Sequence, residues 1–131
     1  MEKVGFLKIT SIDLDASNYA TSGGVFVFLL SDSVNEEWKK IFHSKSIEFM
    51  MDFGMSGTPS IVRDNSISAH CEIEGEQGIE KCKYLLDKYV QATNTEYEKL
   101  LEEKRAEAER IAAAEASLEK RVSEAVNRIN F

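Results

Sequence analysis

Hydrophobic and polar positions change their spacing along this chain, and the change predicts where strands and helices lie. Between Val4 and Leu14 apolar residues alternate imperfectly with polar ones, which is typical of a strand interrupted by a bulge. Residues 25–30 (VFVFLL) are all apolar, as in a central strand covered on both faces. Turn-forming residues 22–24 (SGG) separate the two segments. The N-terminal part therefore predicts two adjacent strands.

A short helix is predicted next. Residues 33–36 (SVNE) have the form of a capping box. In this motif the serine hydroxyl accepts from a free backbone amide of the first turn, and the glutamate side chain accepts from the backbone amide of the serine. Trp38 and Phe42 then recur at helical spacing, so one face of this helix should lie against the sheet. We expect the helix to end near His43.

Three further strands are predicted before the chain becomes helical again. Residues 47–53 (IEFMMDF) place apolar side chains at alternate positions, which indicates a third strand. Residues 60–63 and 66–73 form a hairpin signal around Asp64-Asn65, because both turn residues tolerate positive φ. Most of these strands have no helix between them. The chain is therefore predicted to be α+β, with a mostly antiparallel sheet of about four or five strands, a short helix and a long C-terminal helix or helical hairpin.

The last part of the chain is helical in spacing, and from Tyr97 it follows a seven-residue repeat. Residues 95–98 (TEYE) form a second capping box, which leaves open whether the helix breaks near residues 93–95. The two rows of the repeat lie four positions apart. The first row holds Tyr97, Lys104, Ile111, Leu118 and Ala125, and the second holds Leu101, Ala108, Glu115, Val122 and Ile129.

The length of this helix suggests that it serves association. A body of residues 1–95 would be about 30 Å across, whereas residues 96–129 as one helix would run about 50 Å. We therefore predict an α+β body at 1–95 and, at 96–131, a C-terminal helical extension that belongs to the same domain or forms a dimerisation arm. A second copy is the simplest partner, although the sequence does not give the orientation of the pairing. The predicted interface comprises Tyr97, Leu101, Ile111, Leu118, Val122 and Ile129.

Composition and charge narrow the functional classes. The 131 residues are 43% hydrophobic and 30% charged, as in a folded domain. A net charge of −7 argues against general nucleic-acid binding, but it suits an acidic inhibitor that imitates nucleic acid. Residues 25–30 form the longest apolar run, so we expect no membrane association, and no signal peptide is predicted. Cys71 and Cys82 form no zinc or disulfide motif, which favours the cytoplasm.

Candidate chemistry is sparse, and we predict no catalytic residue, metal site or cofactor. His70 and Glu72 share the outer face of a predicted strand but lack a third, orienting group. Cys71 points to the opposite face, so a Cys–His dyad is implausible. Asp13 and Asp15 resemble paired magnesium ligands without a third ligand.

One segment offers a candidate binding surface. Methionine and phenylalanine cluster at residues 49–55, and such residues form adaptable binding grooves as well as irregular core corners. Burial statistics favour the core. The candidate ligand or partner surface comprises Trp38, Phe49, Met50, Phe53 and Met55.

These observations lead to one functional prediction with two alternatives. The sequence favours a non-enzymatic protein–protein interaction or sequestering module, a homodimer or other homo-oligomer formed by a coiled coil of the C-terminal helix. The first alternative is a small-molecule or nucleotide-binding protein with a pocket near residues 49–55. The second is the acidic inhibitor.

Overall fold

The computed structural model describes residues 6–54 and 57–129. Its architecture is α+β, as the spacing of apolar residues predicts. In chain order the elements are strand β1 (Ile9–Ala20), strand β2 (Gly23–Leu30), helix α1 (Glu36–Ser44), helix α2 (Ser46–Phe53), strand β3 (Ser60–Val62), strand β4 (Ser66–Glu72) and helix α3 (Ile79–Asn127).

The strands form an antiparallel sheet in the order β1-β2-β4-β3. The apolar strand β2 is paired on both edges, which confirms its predicted central position. β1 carries the predicted irregularity, because its register against β2 shifts between Ile9 and Ser11 and again between Asp13 and Asn18. Val4, where the alternating pattern begins, lies outside the described residues.

One face of this sheet carries the core. Phe28 of β2 and Ile67 and Cys71 of β4 are each 0% exposed on that face. The opposite face is covered less evenly, since Val27 is 5% exposed but Val25 is 37% exposed. The expectation that both faces of residues 25–30 are covered is therefore only partly right.

An ion pair crosses the face of the sheet opposite the core, which is the face that carries Val27. Asp13 of β1 lies opposite Val27, and its Oδ2 is 3.5 Å from Nη2 of Arg63, in the turn between β3 and β4. These two segments lie on opposite sides of β2 in the strand order, so the pair passes over β2. A long side chain of this kind can cover apolar surface while its charged end stays in water.

The hairpin between β3 and β4 is present, but its positive φ angles fall one residue earlier than predicted. Arg63 (φ 52°) and Asp64 (φ 62°) adopt them, where the sequence suggested Asp64 and Asn65. The carbonyl of Asp64 accepts from the amide of Val34 at 2.7 Å, and that of Asn65 accepts from Leu30 at 2.8 Å. These two bonds fix the segment that connects β2 to α1 against the turn between β3 and β4.

The N-cap of α1 is Asn35, and the prediction that Ser33 caps this helix is wrong. The Asn35 Oδ1 atom accepts from the Trp38 amide at 2.9 Å, which is the amide three residues on that an N-cap satisfies. The amide three residues after Ser33 is that of Glu36, which is the first residue of the helix. Ser33 is therefore too far before the helix to be its N-cap.

Residues 46–53 form the helix α2, so the prediction of a strand at 47–53 is wrong. Phe49 and Phe53 are buried, while Ile47 and Met51 are 66% and 77% exposed. Each pair is four residues apart, a spacing that satisfies both the strand period and the helix period. Gly54 ends the helix with φ 77°, as a C-terminal glycine commonly does.

Helix α3 runs without a break through residues 93–95, so the capping box at 95–98 lies inside it. Its first part contributes the buried face Cys82, Leu85, Leu86, Tyr89, Val90, Thr93, Asn94 and Tyr97. None of the helices in the described ranges is both long enough and apolar enough to cross a membrane.

The chain divides into two compact units, Met1–Tyr97 and Glu98–Phe131. The first contains the sheet, α1, α2 and the buried face of α3. The described part of the second is helical to Asn127, and none of its residues is buried.

Candidate interaction surface

The second unit displays a row of large apolar side chains in solvent. Ile111 is 45% exposed, Leu118 56%, Val122 54% and Ile129 55%. We refer to these residues as the exposed seam. Val126, which is 48% exposed, lies beside it.

The exposed seam follows the heptad geometry of a coiled coil. Ile111 and Leu118 occupy the position usually named d, whereas Val122 and Ile129 occupy the position named a. These positions alternate at spacings of three and four residues, so they form a single stripe on one side of an α-helix. Val126 falls at the flanking e position.

Between residues 104 and 125, charged and small residues fill the other positions of the stripe. Lys104 stands at d and Glu115 at a, and both side chains are exposed. Ala108 at a and Ala125 at d are small enough to let a second helix approach closely. The stripe can therefore pack, but it must accommodate two charges.

Local ion pairs stabilise the second unit only weakly. Arg105 pairs with Glu102 and Arg110 with Glu107, each within one helical turn, and their side chains are more than half exposed. Exposed pairs of this kind contribute little to stability, because water and salt screen them. Residues 98–127 span about 45 Å as a helix, and a lone helix is marginal in water.

Two residues of the predicted interface differ from the other four. Tyr97 is 2% exposed and belongs to the first unit, where its hydroxyl accepts from Asn35 Nδ2 at 2.6 Å. Its prediction as an interface residue is therefore a misassignment, because its heptad position coincides with the core face of α3. Leu101 is half-buried.

The predicted ligand surface around residues 49–55 lies mostly inside the molecule. Trp38 is 0% exposed, Phe49 2% and Phe53 4%, so these three are core residues rather than surface residues. Met50 is half-buried, and Met55 lies outside the described residues. The helical conformation explains why Phe49 and Phe53 are buried while Ile47 and Met51 are exposed, because it turns the two pairs to opposite sides of α2.

The exposed side of α2 carries a feature that the strand prediction missed. Met51 and Asp52 border an open depression of about 300 Å³ together with Lys45, Lys88 and Tyr89. The Tyr89 hydroxyl donates to Asp52, and Lys88 Nζ lies 3.4 Å from the same carboxylate oxygen. Both bonds lower the pKa of Asp52, and the bond from Tyr89 has the larger effect. The pKa of Tyr89 is raised, first by burial and then by its bond to Asp52. The polar groups satisfy one another, so they leave little for a ligand.

The remaining candidates form no reactive arrangement. His70 and Glu72 are exposed and Cys71 is buried, which confirms that Cys71 points away from the other two. Asp13 bonds to Arg63 and to the amide of Ala16. Among residues 6–54 and 57–129, no group of three or more His, Cys, Asp or Glu side chains could hold a metal ion.

Comparison with known proteins adds nothing to this site. No family model, no curated protein and no solved structure matches the chain.

Proposed function

We propose that this protein is a non-enzymatic interaction module that self-associates through the exposed seam of its second unit. The observation that carries the proposal is the exposure of Ile111, Leu118, Val122 and Ile129 on one stripe of a helix. Contiguous apolar surface on a protein marks an interaction site, whereas apolar residues exposed singly are ordinary.

Burial of the exposed seam would supply the free energy that the helix lacks. A large aliphatic side chain that becomes fully buried contributes about 1.5–3 kcal/mol. The four seam residues are about half exposed, so each would gain part of that amount in each copy. The total over two copies is several kcal/mol, which is enough to offset part of the cost of association.

A second copy is the partner that the geometry favours. A coiled coil needs a matching heptad stripe, and another molecule of the same chain presents one. Twofold homodimers are also the commonest assemblies of soluble proteins. In such a dimer the first unit of each copy would offer the same surface to a partner protein. The dimer could thereby present that partner or sequester it.

The test is sedimentation equilibrium of the full chain and of two double variants. Ile111→Glu with Leu118→Glu places two charges in the exposed seam. Ala106→Glu with Ala113→Glu adds the same charges at the same seven-residue spacing on the opposite side of the helix. We expect the native chain and the second variant to dimerise at tens of micromolar, and the first variant to bind its copy about a hundredfold more weakly or not at all.

Circular dichroism of both variants controls for loss of helix. A native chain that sediments as a monomer at tens of micromolar would contradict the proposal. Equal weakening by both double variants would also contradict it, because the effect would then follow from charge and not from the exposed seam.

A further inference from the structure

Two charged residues interrupt the stripe that the proposed dimer would bury, and they bear on its orientation. In a parallel, in-register pair every heptad position faces its own counterpart. Glu115 would then face Glu115, between the layers of Ile111 and Leu118, and Lys104 would face Lys104. Like charges held together at a partly dry interface oppose association.

We propose, on the assumption that the seam pairs as described above, that the two helices run antiparallel with Ala113 of both copies at the same level. In this register Leu118 packs against Ala108 of the second copy, and Ile111 packs against the aliphatic part of Glu115. Lys104 meets Val122. Neither charged residue faces its own counterpart.

The residues that flank the stripe support this orientation. In the parallel pair each g position faces an e position five residues further on, and Glu107 would meet Ala112 while Arg121 would meet Val126. Neither flanking charge gains a partner of opposite sign.

In the antiparallel register g positions face g positions and e positions face e positions. Glu107 then lies beside Arg121 of the second copy, and Arg105 lies beside Glu119. Each contact occurs twice by symmetry. All four side chains are exposed in the single chain. Arg105 and Glu107 already pair with Glu102 and Arg110 on the surface of the helix, so the contacts in the dimer would add to those pairs or exchange with them. The charge pattern is therefore complementary in one orientation and not in the other.

The alanines at the centre of this register are consistent with close approach. Ala112 and Ala114 flank the point where the two helices would be level, and each would face its own copy. Alanine leaves the least side-chain volume between two helices after glycine, so a central run of it permits tight contact. The same run contributes no charge that could oppose self-pairing.

Oxidative cross-linking of single-cysteine variants tests the orientation. Ala108→Cys and Leu118→Cys are oxidised separately and as an equimolar mixture, with the native chain as the control for Cys71 and Cys82. Antiparallel pairing in the proposed register gives covalent dimer only in the mixture, because position 108 meets position 118. A parallel pair instead gives covalent dimer with each variant alone, and that result overturns the proposal.

Charge exchange gives a second, independent readout by sedimentation. Arg121→Glu would face Glu107 of the second copy and should weaken the dimer about fivefold. Adding Glu107→Arg should restore it, whereas Lys120→Glu, on the far side of the helix, should have little effect. Equal effects of Arg121→Glu and Lys120→Glu overturn the register. If the native chain is a monomer, the proposed function itself is contradicted. If the native chain is a dimer with the parallel cross-linking pattern, only the antiparallel orientation is contradicted.

Discussion

The indole of Trp38 donates a hydrogen bond to the side chain of Asn94, with 3.1 Å between Nε1 and Oδ1. Both residues are almost fully buried, and Asn94 also binds the backbone of Leu7 through two bonds of 3.2 and 2.8 Å. One polar side chain on α3 therefore satisfies polar groups of α1 and of the segment before β1. A buried amide that is satisfied in this way fixes the position of its neighbours.

Asn94→Ala should destabilise the protein by about 2–4 kcal/mol. The substitution leaves the Leu7 amide and the Trp38 indole buried without their partner, and each such group costs about 1–3 kcal/mol unless water reaches it. The Leu7 carbonyl keeps its second bond, from Gln91 Nε2 at 3.3 Å. Urea denaturation measures the loss. Asn127→Ala, at an exposed position of the same helix, should change the free energy of unfolding by less than about 0.5 kcal/mol. Equal effects of the two substitutions would refute this role for Asn94.

The sequence predicts most of this fold because β1, β2 and β4 are long enough to show their patterns and the helical pattern of α3 is sustained. β2 is recognisable as a central strand, since its apolar run suits no exposed segment. α2 is misread because the alternation of Ile47, Phe49, Met51 and Phe53 fits a strand, while each pair four residues apart also fits a helix. What distinguishes the helix is that Phe49 and Phe53 are buried while Ile47 and Met51 are exposed, and burial is a property of the tertiary structure.

The candidate surface is predictable only in part. Ile111, Leu118, Val122 and Ile129 follow from the heptad repeat alone and are exposed in the structure. Tyr97 fits the same repeat, but its hydroxyl binds Asn35, sixty-two positions away. A periodic pattern specifies a face of a helix and does not specify which part of the molecule covers it.

Asn35→Ala should cost about 1–2 kcal/mol, because Asn35 is the N-cap of α1. The same substitution removes the donor to the Tyr97 hydroxyl. Ser33→Ala, at the position that the sequence suggested as the cap, should be close to neutral. Thermal or urea unfolding of the two variants distinguishes the sites, and a larger loss from Ser33→Ala would show that the cap is assigned wrongly.

Cys71 and Cys82 should not react with thiol reagents in the folded protein. Both are 0% exposed. The Cys71 thiol together with burial raises the pKa of Cys82, whereas the bond to Cys82 lowers the pKa of Cys71, so Cys71 is protected by burial alone. A disulfide-exchange reagent should label neither thiol at pH 8 until denaturant is added, because the thiolate is the reactive form. Ala113→Cys, exposed in the second unit, should label at once. Rapid labelling of the native chain would mean that β4 and α3 separate easily.

The bond from Tyr89 to Asp52 should make part of the stability depend on pH. Because the folded-state pKa of Asp52 lies below its ordinary value of 3.8, the folded state prefers the ionised carboxylate. The stabilisation is therefore present above pH 3.8 and is lost as the pH falls through the lower, folded-state pKa. Tyr89→Phe removes the largest cause of the shift, so the pKa of Asp52 should rise toward 3.8.

Carboxyl NMR titration of Asp52 in the native protein and in Tyr89→Phe measures this change directly. Lys88→Met removes the second cause and should raise the same pKa by less, since the Tyr89 bond is the larger contribution. In urea unfolding, the difference in stability between the native chain and Asp52→Asn should shrink on acidification below pH 3.8. A difference that grew on acidification would have the opposite sign from that required by a lowered pKa, and would exclude Asp52 as a stabilising carboxylate.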